Sequence, residues 1–211
     1  MLELYVIRHG ETVWNEKGLL QGRTDIELNE NGRKAASELG KRLAGIHFDK
    51  VYASPLRRAR ETAELILGAK NETEGRTEPG PMIETDDRLM EISFGVEEGV
   101  HYSDWLKEDV PYRFFFTNPD KYHAPEGGEE FSEVIDRTAE FLKEKIEVLA
   151  ETANSSDPVR IMLVAHGALN KGLMCTLEGN TVEKYWGRGL QKNCEADVFV
   201  FDGENWTYKS V

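Results

Sequence analysis

The sequence predicts an α/β fold built on a mostly parallel sheet, and three observations carry that prediction. Two apolar runs, Leu4-Tyr5-Val6-Ile7 and Ile161-Met162-Leu163-Val164-Ala165, have the length of buried strands, and both lead into a His-Gly pair, Arg8-His9-Gly10 and His166-Gly167. Between them lie segments whose apolar residues recur at helical spacing. Near the end, Val198-Phe199-Val200-Phe201 and Trp206-Thr207-Tyr208, joined through Asp202-Gly203, read as a hairpin that adds antiparallel strand to the sheet edge. Parallel strands open their carboxyl ends into one crevice, the usual ligand site of an open α/β sheet. Two imidazoles would then face one pocket.

Taken in order, the first His-Gly is followed by Glu11-Thr12-Val13-Trp14-Asn15, Gly18, Gln21-Gly22-Arg23 and Asp25. This polar loop can offer backbone N–H groups and the amides of Asn15 and Gln21 to an oxyanion; the plainer reading is a surface connection. Apolar spacing at Ala35, Ala36, Leu39 and Leu43 predicts a helix from Asn31 to Ala44, stopped by Gly45. Lys50-Val51-Tyr52-Ala53 is a short strand. Ser54 suits an N-cap and Pro55 the first helical position, which predicts a helix to Leu67 ended by Gly68.

That start puts Arg57 and Arg58 beside the positive end of a helix dipole, at a cost of a few tenths to about 1 kcal/mol each. Either they turn into solvent, or a bound anion offsets the cost. Residues 69–82 read as an exposed loop. Glu91 follows between apolar neighbours, where a carboxyl can retain a proton near neutrality and act as a general acid; an exposed edge carboxylate is the alternative.

Eight of the chain's twenty aromatics fall between Tyr102 and Phe131, mixed with Pro111, Pro119, Pro125 and Gly127-Gly128. A small irregular or short-helical lobe at about 100–131, with its own apolar cluster, is expected there as a lid over the crevice. A helix from Ser132 to Glu151, a turn at Asn154–Pro158 and a helix over Leu169–Leu177 complete the reading. No linker or repeat divides the chain, so 1–211 is expected to be a single domain.

Composition narrows the function. Acidic residues number 39 against 26 basic ones, a formal charge of −13, which repels nucleic acid and anionic membranes at long range. A small anionic substrate remains admissible where a few cations are concentrated. No apolar run of membrane-spanning length is present and the first residues form a strand at once, so a cytoplasmic location is expected. Cys175 and Cys194 are too few for a disulfide framework and wrongly spaced for a metal cluster. The sequence is silent on oligomeric state.

Arg8, Arg58 and one of the two histidines can bind the three non-bridging oxygens of a phosphoryl group while the other histidine attacks phosphorus in line. Such a site needs neither metal nor cofactor, and none of the usual metal-ligand spacings occurs. The ordered set Arg8-His9-Gly10-Glu11-Thr12, Asn15, Gln21-Gly22, Ser54-Pro55-Leu56 before Arg58-Ala59, Glu91 and His166-Gly167 resembles the histidine phosphatase superfamily, also called phosphoglycerate mutase-like proteins. The resemblance implies a three-layer α/β/α sandwich and a mechanism in which His9 is phosphorylated and then dephosphorylated by water. It also implies that Arg8, Arg58 and His166 hold the phosphoryl group with Asn15 assisting, and that Glu91 protonates the leaving oxygen. Thr12, Gln21, Gly22 and Gly167 join the substrate site on the same ground. His9 must attack as the neutral imidazole, and His166 is expected to be protonated, as a donor to the transferring group.

Within that resemblance, Gln21-Gly22 matches the phosphatase branch, where mutases carry Gly-Trp, and the segment after Glu91 lacks the mutases' long insertion. A phosphomonoesterase acting on a small phosphorylated metabolite is the reading favoured. A cofactor-dependent phosphoglycerate mutase is the runner-up, and a non-catalytic phosphate-ester binding module is the third.

Overall fold

The computed structural model describes residues 1–76, 80–152 and 157–209. In chain order it comprises β1 (Leu2–Arg8), α1 (Val13–Glu16), α2 (Glu30–Arg42), β2 (Lys50–Ala53), α3 (Arg57–Glu74), β3 (Ile83–Thr85), α4 (Phe114–Thr117), α5 (Phe131–Phe141), β4 (Val159–Ala165), α6 (Gly167–Glu178), β5 (Ala196–Phe201) and β6 (Trp206–Lys209), with short 3₁₀ turns between. The six strands lie in the order β3-β2-β4-β1-β5-β6. The first four named are mutually parallel; β5 and β6 run antiparallel, as the hairpin pattern predicted.

Alternation along the strands builds the layers. Leu4 and Val6 of β1, with Leu163 and Ala165 of β4, face α5, α6 and the aromatic segment, whereas Tyr5 and Ile7, with Met162 and Val164, face α2 and α3. Both faces of the sheet are therefore buried, and the architecture is the expected α/β/α sandwich.

Several boundaries differ from the sequence reading. Helix α3 begins at Arg57, two residues after Pro55, because Ser54 Oγ accepts a hydrogen bond from Leu56 N at 3.3 Å and closes a turn ahead of the helix instead of capping it. The helix then passes through Gly68 and ends at Gly75, whose φ of 66° supplies the left-handed stop. Gly68 faces open space, and continued burial of Ala69 and Lys70, with Lys70 Nζ 2.6 Å from Glu74, outweighs its cost of about 1 kcal/mol. The expected 69–82 loop shrinks accordingly, and β3, absent from the sequence reading, pairs with β2. Helix α5 widens into a π turn at Leu142–Ile146 before a 3₁₀ end. The turn expected at Asn154–Pro158 lies largely outside the described residues.

Segment 100–131 is a chain of 3₁₀ turns and α4, but it lacks a separate apolar cluster. Trp105, Phe115 and Tyr122 belong to the same core as Leu4, Leu163 and Leu169, through Phe131 and Tyr185. Among the described residues no helix is long and apolar enough to cross a membrane.

Candidate active site

Because β1 and β4 pair directly with Arg8 opposite Ala165, the residues that follow them meet: the rings of His9 and His166 lie 5.1 Å apart, both buried. His9 N donates to Ala165 O at 2.9 Å, which holds the strand end, and His9 Nδ1 faces Gly10 O at 2.7 Å. A carbonyl only accepts, so the ring proton sits on Nδ1 and Nε2 carries the lone pair. Burial first, then Arg58 and Arg8, holds His9 well below the ordinary 6.5, in the neutral form expected of a nucleophile. At Gly10 the backbone passes so close to α2 that a Cβ would lie 2.7 Å from Gly32 O.

Arg58 is fully buried at the start of α3. Its Nε donates to His166 Nδ1 at 3.2 Å, Nη1 to Thr24 O at 2.8 Å and Nη2 to Gly22 O at 2.7 Å, so three of five N–H groups are committed to protein. The loop carbonyls, together with a guanidinium aimed inward, resolve the dipole conflict without exposing the charge. Burial pushes Arg58 down to about 10, which leaves it charged at neutrality.

His166 corrects the sequence reading. Burial, then Arg58 and His9, holds it well below 6.5, and Arg58 Nε–H facing Nδ1 requires a lone pair there. His166 is neutral, with its proton on Nε2. It remains a donor, but an uncharged one.

Of the predicted site residues, two hold a buried donor without a hydrogen-bond partner among the described residues, at His166 Nε2 and Arg8 Nε. Arg8 is otherwise anchored by Nη1 donating to Gln191 O at 2.6 Å. An unpaired buried polar group costs about 1–3 kcal/mol, a cost that a bound oxyanion would relieve.

Glu91 is buried and its carboxylate caps α6: Oε1 accepts from Ile92 N at 2.9 Å and Leu169 N at 2.8 Å, and Oε2 from Ala168 N at 3.2 Å. Oε2, with one long hydrogen bond, has a lone pair to spare. Arg8, His9, Asn15, Gln21, Gly22, Arg58, Glu91 and Gly167 all line one cavity of about 300 Å³. Thr12 and His166 are not among its lining residues: His166 packs against the His9 ring, and Thr12 stands behind the wall, with Oγ1 donating to Gln21 Oε1 at 2.9 Å and accepting from Asn15 N at 3.1 Å. Asn15 Oδ1 accepts from Thr12 N at 3.2 Å, which turns its amide nitrogen outward. Among the described residues no three His, Cys, Asp or Glu side chains are placed to share a metal ion.

Sequence reasoning missed the segment 191–194. Gln191 Nε2 donates to Val6 O at 3.0 Å, Asn193 Nδ2 to His9 O at 2.9 Å, and Cys194 N to Arg8 O at 3.0 Å. Cys194 adopts φ 55°, an unfavourable conformation for a side-chain-bearing residue that brings this clamp onto the end of β1. Thr62 was missed as well: Oγ1 accepts from Gly10 N at 2.9 Å and donates to Arg58 O at 2.6 Å. Glu98 secures the loop that holds Arg58, accepting from Arg23 N and Thr24 N at 2.8 Å each.

The family description that matches residues 4–211 is the histidine phosphatase superfamily, branch 1. Phosphoserine phosphatase 1 of Hydrogenobacter thermophilus is 31% identical over 206 residues, covering 97% of this chain and 90% of its own. Phosphoglycerate mutase-like protein 4 of Arabidopsis thaliana is 31% identical over 210 residues, covering 97% and 82%. Among solved structures, the phosphoserine phosphatase of Entamoeba histolytica in complex with 3-phosphoglyceric acid superimposes with a TM-score of 0.78 at 29% identity, covering 100% of this chain and 96% of that one.

Proposed function

The chain belongs to the histidine phosphatase superfamily, and from that premise we propose that it hydrolyses small phosphomonoesters, with His9 as nucleophile and Glu91 as proton carrier. The observation that carries this reading is the lone pair of His9 Nε2 beside two unpartnered buried donors, Arg8 Nε and His166 Nε2.

In the first step the His9 Nε2 lone pair attacks phosphorus, the ester P–O bond breaks, and the leaving oxygen takes the proton from Glu91. Arg8, the two uncommitted N–H groups of Arg58, His166 Nε2–H and the Asn15 amide stabilise the charge on the three non-bridging oxygens. In the second step water attacks the phosphohistidine, Glu91 takes the water's proton, and the P–N electrons return to His9 as phosphate leaves. Residues 100–131 serve as a lid within one domain that spans 1–211. Tyr102 and Leu190, each 46% exposed at the cavity, leave a route for that water.

The test is a phosphate-release screen over phosphorylated metabolites, with conversion of 3- to 2-phosphoglycerate followed beside it. Hydrolysis of several esters without isomerisation is expected, together with a base-stable, acid-labile phosphoryl group on His9 after rapid quench. Efficient mutase turnover with slow hydrolysis would overturn the reading in favour of a phosphoglycerate mutase.

A further inference from the structure

The cavity divides into two chemically different halves. One holds the phosphoryl cluster, Arg8, His9, Arg58 and Gly167; the other is walled by Leu19, Leu20, Phe94, Tyr102, Phe116 and Trp186. Among the lining residues the only cations are Arg8 and Arg58, and both are claimed by the phosphoryl group. The one acidic side chain of the lining is Glu91, which brings the proton to the leaving oxygen. Arg23, a cation of the nearby loop, lies outside the lining and is 3.5 Å from Glu129.

Beyond the amides of Asn15 and Gln21, which also line the cavity, the polar side-chain atoms of the second half are few. Trp186 Nε1 is already spent on Phe115 O at 2.7 Å, and Tyr102 offers a hydroxyl. The rings brace one another: Phe116 stacks on Trp186 at 6.0 Å and 21°, and Phe94 meets Phe115 edge-on at 5.3 Å. A wall held in this way presents flat apolar surface at little entropic cost.

We propose that the preferred substrate is a phosphomonoester whose alcohol is uncharged and carries an apolar ring, and that phosphoserine and phosphoglycerate are poor substrates. This rests on the phosphomonoesterase reading above. A carboxylate on the leaving group would be desolvated against Leu19, Phe116 and Trp186 with no cation to meet it. The ammonium of phosphoserine would fare little better, since Glu91 accepts three N–H groups and its spare Oε2 lone pair carries the proton meant for the leaving oxygen. A ring gains by burial what those charges lose.

The test compares kcat/KM for benzyl phosphate and cyclohexylmethyl phosphate with that for phosphoserine and 3-phosphoglycerate. All four release an alkyl alcohol, so the comparison is free of the advantage that aryl esters enjoy. The ring esters are expected to win by at least about tenfold. Tyr102→Lys, an exposed change on the wall, is expected to shift the ratio towards 3-phosphoglycerate by about fivefold, the scale of one exposed ion pair. Calorimetric binding of benzylphosphonate against 2-amino-3-phosphonopropionate tests the same wall without turnover.

Active protein that prefers phosphoserine or 3-phosphoglycerate would overturn the substrate class and leave the hydrolase standing. Absence of hydrolysis with tighter benzylphosphonate binding would do the reverse. Weaker benzylphosphonate binding would remove the ring subsite whatever the turnover.

Discussion

Arg58 Nε lies 3.2 Å from His166 Nδ1, donor facing acceptor, and that single contact sets the proton of the second histidine on Nε2. A guanidinium cannot accept a hydrogen bond, so a protonated His166 would set N–H against N–H inside a buried site. The phosphoryl pocket thus keeps two cations, Arg8 and Arg58, and two neutral imidazoles, one giving a lone pair and the other a proton.

Neutral burial has a definite sign in stability. Both histidines titrate near 6.5 when unfolded and well below it when folded, so the unfolded chain binds more protons as pH falls. The stability due to neutral burial is complete above about 6.5 and is lost progressively below it. Thermal melts at pH 5, 6 and 7 should therefore show Tm falling by several degrees on acidification, with a flatter profile for His166→Gln. A charged His166 in the folded protein would make its share of that slope run the other way, and a steeper fall in the variant would reveal it.

Removing the nucleophile and removing a clamp should differ in kind. His9→Ala is expected to abolish turnover, whereas Arg58→Ala should leave activity reduced by about 10²–10³-fold, the usual effect of deleting one preorganised oxyanion donor. Arg58→Lys restores the charge but not the fork that reaches His166 Nδ1, Gly22 O and Thr24 O together, so it should recover less than about tenfold of that loss. Steady-state kinetics on one aryl phosphate suffices, and full recovery by lysine would reduce Arg58 to a point charge.

What the sequence revealed and what it hid divide along a physical line. His9 and His166 each end an apolar strand, and Arg58 opens a helix where a cation is misplaced; these are local signals that a chain read in order displays. The charge of His166 depends on a partner 108 positions away, and the clamp on His9 comes from Asn193, 184 positions away, through one side-chain amide. Neither leaves a local pattern. Helix α3 was misjudged at Gly68 for a related reason, since packing against α2 overrode a propensity of about 1 kcal/mol. Strand β3 is three residues long and owes its existence to pairing with β2.

Glu91 serves two neighbours at once, and its variants should separate the two. Glu91→Gln cannot deliver a proton, so alkyl phosphates should slow by about 10²–10⁴-fold while aryl phosphates, whose phenolates leave unaided, slow far less. The amide also turns an N–H towards the donors at the start of α6, a loss of about 1–2 kcal/mol that should appear as a lower Tm. Equal losses on both ester classes would mean that the capping role alone explains the variant.

Thr62 ties the nucleophile's strand to the clamp's helix through one hydroxyl, which accepts from Gly10 N at 2.9 Å and donates to Arg58 O at 2.6 Å. Thr62→Val keeps the shape and removes both bonds, leaving the Gly10 N–H buried without an acceptor at a cost of about 1–3 kcal/mol. If the hydroxyl also sets the spacing between His9 and Arg58, kcat should fall at least about tenfold while KM changes little, because ground-state binding through Arg8 and His166 persists. Thr62→Ser, which retains the hydroxyl, should restore kcat even if it does not restore the full Tm. A Thr62→Val protein with lowered Tm but undiminished kcat would confine Thr62 to holding α3 against the sheet.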